Sequence, residues 1–257
     1  MTSPSRTCSR SKATCPGIVR GASWALLLAL LRPLPAPAGT VTGSVRLIDS
    51  HDTGVHRNND YSGAVIWLER PDGTALPLQP KVAQMAQKKK LFVPSVLAVP
   101  VGSAVSFPNF DPIFHNAFSN FAGQIFDVGL YPPGADRKVP FRRAGIVRVF
   151  CNIHPTMSAV IVVLNTMYMA VSNADGSFRI DGVKEGEYRL HVFHERATEQ
   201  TLHALERILT VGDDPVSLPP LEISESGHIQ LPHKNKYGKD YPAVIEDRPM
   251  YPASRKP

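Results

Sequence analysis

The chain has 257 residues, of which 28 are Lys or Arg and 22 are Asp or Glu, giving a formal net charge of +6. Residues 1–38 contain five of the basic residues and no acidic one, and subtracting these five leaves 23 basic against 22 acidic residues. The charge of the remaining chain therefore gives no reason to expect nucleic acid or a membrane surface as a partner. Beyond residue 38, no stretch reaches the roughly 18 apolar residues that a membrane span needs.

The first 38 residues are predicted to be a secretory signal peptide. A basic, Ser- and Thr-rich start precedes a short apolar run from Ala22 to Leu31, and Ala36-Pro37-Ala38 has the small-residue pattern of a cleavage site. Cleavage after Ala38 would make the protein periplasmic or secreted. The alternative is a signal that is retained as a membrane anchor.

Short apolar segments separated by Gly and Pro turns make up most of the remaining chain. Strands are predicted at 40–47, 63–68, between 92 and 101, and at 104–107, 126–130, 139–141, 146–150, 158–164, 168–172, 177–180 and 187–194, with two more at 205–211 and 221–223. The β-branched segment 158–164 is expected to be a central strand. This pattern predicts an all-β sandwich or barrel.

Four segments are interpreted separately from this strand pattern. Residues 51–61 are polar and are predicted to be a loop, and 198–205 could form a helical turn in place of a strand. The basic run Lys88 to Lys90 is interpreted as protection of an edge strand. Residues 224–257 are polar and proline-dotted and are predicted to be a mobile or draped tail.

The segment with the most specific chemistry is Cys151 to Met157, which has the spacing Cys-x2-His-x2-Met. Cys151 is the only cysteine after the predicted signal, and in an oxidising compartment a lone thiol is free, dimer-forming or metal-bound. Thiolate, imidazole and thioether are ligands that copper prefers, and blue-copper sites combine two His, one Cys and a weak Met. His154 lies between these two sulfur residues, and the upstream His115 is the candidate for the second His.

Other interpretations of these residues are an inert buried Cys151 and a Met157 that only fills the core. Zinc is the competing ion, but a thioether is not among its usual ligands, so Met157 favours copper. Asn116 is placed to contact the site from outside the ligand set, and Pro155 would stiffen the ligand loop. A hydrophobic rim for partner docking is predicted from Phe118, Phe121 and Tyr131.

The region from 82 to 164 resembles the cupredoxins, and its ligand loop has the length found in amicyanin. The residues that carry the resemblance are Phe92, Pro94, Gly102, Val105, Phe107, Asn109, Asp111, His115, Asn116, Cys151, His154 and Met157. The resemblance implies a Greek-key β-sandwich with one type 1 copper, held by His115, Cys151, His154 and Met157. It also implies single-electron transfer with a redox protein such as a c-type cytochrome or a periplasmic dehydrogenase.

One departure from the amicyanin loop is Asn152-Ile153, where amicyanin has Thr-Pro, and this affects the expected docking surface. The chain as a whole also resembles exported proteins labelled methylamine utilisation proteins.

The segments on either side of the copper region resemble a carboxypeptidase regulatory-like β-sandwich, a non-catalytic module. The resemblance rests on Gly43-Ser44-Val45 and Ser62 to Val65, and on Asn173 to Ile180 and Gly186 to Leu190. The predicted domains are a signal peptide at 1–38, a discontinuous sandwich at 39–80 plus 166–223, a cupredoxin domain at 81–165 and a polar tail at 224–257. The alternative is two consecutive domains that divide near Thr166.

An electron carrier is the first functional hypothesis, and the chain is not expected to be an enzyme. Copper oxidases and nitrite reductases link a type 1 site to a second copper through a His beside the ligand Cys, whereas Phe150 and Asn152 flank Cys151 here. Copper storage or delivery would require an exposed, exchangeable site. A non-catalytic surface module with a vestigial copper motif is the remaining hypothesis. The other histidines are interpreted as packing or surface residues.

Overall fold

The computed structural model describes residues 38–120, 123–229 and 233–241. The predicted signal peptide up to Pro37, and Phe121 of the predicted rim, lie outside these residues. The strands are β1 Ala38–Ile48, β2 Val65–Glu69, β3 Val82–Gln84, β4 Ala86–Lys88, β5 Leu91–Val93, β6 Val96–Pro100, β7 Ala104–Ser106, β8 Phe118–Ser119, β9 Phe126–Asp127, β10 Lys138–Pro140, β11 Gly145–Phe150, β12 Ser158–Leu164, β13 Met169–Val171, β14 Ser177–Lys184, β15 Gly186–Phe193, β16 Arg207–Val211, β17 Val216–Ser217 and β18 Leu221–Ser224. The helices are α1 Thr53–Asn58 and α2 Glu199–Ala204.

The prediction of an all-β fold is confirmed, since the two helices are single short turns among many strands. Helix α1 interrupts the segment that was predicted to be a loop, because the Asp52 side chain accepts hydrogen bonds from the N–H groups of Gly54 and Val55 and caps the helix. Helix α2 confirms the alternative of a helical turn, with Thr198 as its cap. The strand predicted at 126–130 is shorter than expected and ends at Asp127.

Strands from the two ends of the described chain share sheets. In one sheet β1 lies between β14 on one side and β17 and β18 on the other. In a second sheet the strand order is β13-β2-β15-β16. The apolar residues between these sheets form one buried cluster, which includes Val45, Ile66 and Tyr188.

The middle of the chain forms a second sandwich. Its larger sheet has the order β6-β12-β11-β8-β9, and its smaller sheet has the order β10-β7-β3. A second buried cluster contains Val105 and Val139 of the smaller sheet with Val147 and Ile161 of the larger one. Strands β11 and β12 pair as an antiparallel hairpin, and the loop between them is the predicted ligand loop.

Strand β12 is buried on both faces, which explains why its sequence lacks polar alternation. Its residues Ala159, Ile161 and Val163 belong to the cluster of the middle sandwich. The alternate residues belong to a third buried cluster that also contains Val65 of β2 and Phe193 of β15. The prediction of a central strand at this position is confirmed, with β6 on one side and β11 on the other.

A buried polar cluster lies at the end of β15. His194 is 3% exposed, and its Nδ1 lies 3.7 Å from Oε1 of Glu225. The Glu225 carboxylate also accepts hydrogen bonds from the Arg196 guanidinium at 2.9 Å and from the Ser50 hydroxyl at 2.7 Å. Burial, reinforced by the nearby Arg196 charge, lowers the pKa of His194 to about 4, although Glu225 opposes this shift.

We expect Ile161→Ala to destabilise the fold strongly, because it removes a fully buried side chain from β12. The expected loss in the free energy of unfolding, measured by urea denaturation, is about 2–5 kcal/mol. Ile146→Ala is the matched control on the paired strand β11, where the side chain is 42% exposed, and it should cost less than about 1 kcal/mol. Equal losses in the two variants would contradict the burial of β12 on both faces.

We also expect stability to depend on pH through His194. Its folded pKa of about 4 lies below the ordinary value of 6.5, so the unfolded chain binds more protons between these values. The contribution of His194 to the free energy of unfolding is therefore fully present above pH 6.5. About 2 kcal/mol of it is lost as the pH falls towards 4. Urea unfolding at pH 7.0 and 4.5 should give a smaller pH difference for His194→Gln than for the wild type. An unchanged difference would show that His194 is not buried in its neutral form.

Candidate metal centre

Three of the four predicted ligands meet at one end of the middle sandwich. The ligand atoms offered by His115, Cys151 and His154 all lie within 4.8 Å of one another. Nδ1 of His154 is 3.6 Å and Nδ1 of His115 is 3.9 Å from the sulfur of Cys151. All three side chains are buried, and His154, at 6%, is the most exposed of them. In the described part of the chain, no other group of His, Cys, Asp and Glu residues is arranged in this way.

The hairpin of β11 and β12 positions two of these ligands. Phe150, the last residue of β11, pairs with Ser158, the first residue of β12, so the seven residues between them must form a compact loop. The loop is closed by hydrogen bonds from the Cys151 N–H to the Met157 carbonyl and from the Met157 N–H to the His154 carbonyl. The Met157 side chain is fully buried in the same apolar cluster as Cys151.

The third predicted ligand, His115, is held by segments outside the Cys151 loop. The backbone of His115 pairs with that of Tyr131 through hydrogen bonds in both directions. Its Nε2 lies 2.8 Å from Oδ2 of Asp111, which accepts a hydrogen bond from it. This contact assigns the ring proton to Nε2 and leaves the lone pair of Nδ1 facing the Cys151 sulfur.

Asp111 is itself fixed by a tight turn between β4 and β5. Lys89 and Lys90 both have φ of +56°, a conformation that costs about 1–2 kcal/mol for a residue other than glycine. Their N–H groups donate to the Asp111 carboxylate at 2.5 and 2.8 Å, which offsets this cost. The interpretation of Lys88 to Lys90 as protection of an edge strand is therefore incomplete, because the turn orients a ligand through Asp111.

Asn116 links the loop that contains His115 to the loop that contains Cys151. Its side-chain oxygen accepts a hydrogen bond from the N–H of Asn152 at 3.3 Å. Its side-chain nitrogen donates to Oδ1 of Asp127 at 2.7 Å and to the carbonyl of Gly129 at 2.9 Å. The bond from Asn152 joins the residue after His115 to the residue after Cys151, and the other two hold Asn116 to the segment that precedes Tyr131.

Burial dominates the electrostatics of the free ligands. It lowers the pKa of His115, although the Asp111 carboxylate opposes the shift. It raises the pKa of the Cys151 thiol, although the N–H groups of Ile153, Asn116 and His154 point towards the sulfur and oppose it. Burial therefore disfavours the charged form of both His115 and Cys151, and the thiol must release its proton when a metal binds.

The predicted hydrophobic rim is wrong for two of its three residues. Phe118 is 1% exposed and Tyr131 is 0% exposed, so neither presents a docking surface. Phe118 lies in β8 beside β11, and the hydroxyl of Tyr131 donates to the Phe107 carbonyl in the core. The exposed part of the ligand loop is Pro155 and Thr156, next to His154.

Sequence reasoning missed two further sets of contacts. Asp111 stands four residues before His115, and that spacing was available as a signal. Residues 233–241, one of the two described parts of the predicted tail, contact the ligand loop and the end of β11. The ring of His233 stacks on Phe150 with centroids 4.2 Å apart, and the hydroxyl of Tyr241 donates to the Cys151 carbonyl at 2.6 Å.

A cleft of about 930 Å³ opens beside the ligand loop. Phe150, Pro155 and Thr156 line it on the side of the loop, and Arg196 and His228 line it elsewhere. The cleft gives solvent access to the outer surface of the loop.

The residues present fit a copper ion. Two imidazole nitrogens and one thiol sulfur converge in a buried pocket, and a thioether is buried in the same loop. Structural zinc sites are usually closed by four Cys or His ligands, whereas this cluster supplies three.

No protein-family model and no curated protein matches the chain. Cupredoxin structures match parts of it. A purple cupredoxin from Nitrosopumilus maritimus is 23% identical, with 32% of this chain and 99% of that chain covered and a TM-score of 0.29. Amicyanin from Paracoccus versutus is 20% identical, with 35% and 85% covered and a TM-score of 0.30.

A copper-containing nitrite reductase from Thermus scotoductus is 24% identical, with 46% of this chain and 28% of that chain covered and a TM-score of 0.31. At these TM-scores the similarities do not decide the function of this chain. None of the helices within the described residues has the length and apolar character needed to cross a membrane.

We expect Asp111→Asn to weaken copper binding. The amide has one acceptor oxygen and no charge, so it cannot accept from the Lys89 and Lys90 N–H groups and also orient His115. A loss of about 10- to 100-fold in Cu(II) affinity is expected in a competition titration. Asp136→Asn is the matched control, because that carboxylate accepts from the Ser106 hydroxyl at 2.7–2.8 Å in the same sandwich. Affinities within twofold of each other would contradict the role assigned to Asp111.

Proposed function

We propose that the protein is an exported type 1 copper protein that transfers single electrons between redox partners. The observation that carries the proposal is the buried convergence of Cys151 with Nδ1 of both His115 and His154. Met157, at the end of the same loop, is the proposed weak axial ligand. Bound copper would supply one-electron chemistry by alternating between Cu(I) and Cu(II).

In this proposal the protein restrains the ligand side chains and excludes water from them. The Cys151 loop is tied to a strand pair, and His115 is tied to Tyr131 and to Asp111. Ligands restrained in this way cannot rearrange freely, so the reorganisation that accompanies electron transfer is reduced. Burial excludes water, and it also favours a slow exchange of the metal.

A redox protein such as a c-type cytochrome or a periplasmic dehydrogenase is the proposed partner. His154 is the ligand nearest the surface, and the exposed Pro155 and Thr156 lie beside it. We therefore place the exit of the electron at this part of the loop, in place of the rim predicted from the sequence.

Two alternatives need different properties of the site. Copper storage or delivery would need an exposed, exchangeable centre, which the burial of His115 and Cys151 disfavours. An oxidase or reductase of the multicopper kind would need a histidine beside Cys151 to reach a second copper, and Phe150 and Asn152 occupy those positions. We therefore propose a carrier and not an enzyme.

We also propose that residues 39–80 plus 166–223 form one domain and that 81–165 is inserted into it. The pairing of β1 with β14 and of β2 with β15 supports this division, because a break near Thr166 would separate paired strands. The assignment of the outer domain to the carboxypeptidase regulatory-like class rests on the sequence resemblance.

The proposal predicts an intense visible thiolate-to-copper band and narrow copper hyperfine splitting in the Cu(II)-loaded protein. Both signals should disappear in Cys151→Ser, because the sulfur is the source of the charge transfer. Optical and paramagnetic resonance spectra of the two proteins make the test. A colourless wild-type protein, or a copper signal that does not change in Cys151→Ser, would contradict the proposal.

Met157→Leu tests the axial ligand. Removing a weak donor that favours Cu(II) should raise the reduction potential, while the visible band remains. Met169→Leu is the matched control, because that half-buried residue lies in β13 of the other sandwich. Equal reduction potentials in the two variants would show that Met157 is not a copper ligand.

A further inference from the structure

The segment 233–241, which we call the strap, contacts the last residue of β11 and the first two residues of the ligand loop. The ring of His233 stacks on that of Phe150, with an interplanar angle of 28°. The hydroxyl of Tyr241 donates to the carbonyl of Cys151 at 2.6 Å. The N–H of Lys236 donates to the side-chain oxygen of Asn152 at 2.9 Å. The strap therefore holds the chain on both sides of the Cys151 side chain.

The strap also reaches the second ligand loop through Asp127. The ammonium group of Lys236 lies 2.8 Å from Oδ2 of Asp127. Oδ1 of the same carboxylate accepts the hydrogen bond from Asn116, the residue after His115. Since Asn116 also accepts from the N–H of Asn152, hydrogen bonds connect the strap with the residues that directly follow His115 and Cys151.

The strap is held in one conformation by contacts within itself, which it needs if it is to restrain the ligand loop. The Asn235 N–H donates to the Lys239 carbonyl, and the Asn235 side-chain oxygen accepts from the N–H groups of Tyr237 and Lys239. The rings of His233 and Tyr241 meet edge to face with centroids 5.2 Å apart, which closes the segment on itself. Because these internal contacts already restrict the backbone of the strap, the contacts that the strap makes with the ligand loop can restrain that loop.

We propose that the strap fixes the Cys151 loop in its metal-binding conformation before the metal arrives, with Tyr241 as the main positioning residue. The inference deepens the proposed function and rests on Cys151 being a copper ligand. Within the loop, the bonds between Cys151, His154 and Met157 close the backbone from inside. The Tyr241 and Lys236 bonds hold the Cys151 carbonyl and the Asn152 side chain from outside, where the loop leaves β11.

The test compares Tyr241→Phe and His233→Ala with the wild type, as full-length metal-free proteins. Tyr237→Phe is the matched control, because this tyrosine lies in the same strap and is 70% exposed. The readouts are amide hydrogen exchange of residues 150–157 and the rate at which a maleimide alkylates Cys151. Mass spectrometry of the peptide that contains Cys151 separates its alkylation from that of Cys8 and Cys15. Loss of one hydrogen bond should raise both rates about fivefold in Tyr241→Phe. The control should remain within twofold of the wild type.

Rates in Tyr241→Phe and His233→Ala that equal those of Tyr237→Phe would overturn the role of the strap. Spectra of the copper-loaded wild-type protein separate this failure from a failure of the proposed function. A type 1 spectrum with unchanged exchange in the variants rejects only the strap. Faster exchange in the variants, in a protein whose spectrum is not type 1, supports the strap and rejects only the electron-transfer proposal.

Discussion

The burial of β12 between two apolar clusters is the constraint on which the metal centre depends. Alternate side chains of this strand enter the middle sandwich and the layer shared with β2 and β15. A one-residue slip would exchange these two sets, so the register of the strand is strongly specified. Because β11 pairs with β12 up to its last residue, the same constraint determines where the Cys151 loop begins and ends.

The ligands are oriented by neutral and charged hydrogen bonds that converge from separate segments. The turn at Lys89 and Lys90 orients Asp111, and Asp111 orients His115. Asn116 joins that loop to Asn152, beside Cys151. The bond between Asp111 and His115 is buried, in a region of low dielectric where it is stronger than in water and an unpaired partner is costly, and the other bonds are partly buried. The geometry of the three ligand atoms is therefore a property of the protein before any ion binds.

Much of the fold could be predicted from the sequence, because period-two apolar patterns and glycine turns report local backbone structure. The apolar run 158–164 is long enough and sufficiently β-branched to indicate a strand buried on both faces. The spacing of four residues between Asp111 and His115 was visible in the sequence. The support of Asp111 by the Lys89 and Lys90 turn, and the contacts of the strap, could not be predicted in the same way, since they join segments far apart in the chain. Phe118 and Tyr131 were misassigned because apolar residues near a site can fill the core as readily as line a surface.

The central claim is that the protein holds the Cys151, His115 and His154 ligands in one arrangement independent of the oxidation state of copper. The most direct measurement is X-ray absorption at the copper edge in the Cu(II) and Cu(I) forms of the full-length protein. We expect two nitrogen ligands and one short sulfur ligand in both forms, with little change in their distances. Loss of a nitrogen ligand on reduction, or the absence of a short copper–sulfur distance, would contradict this arrangement.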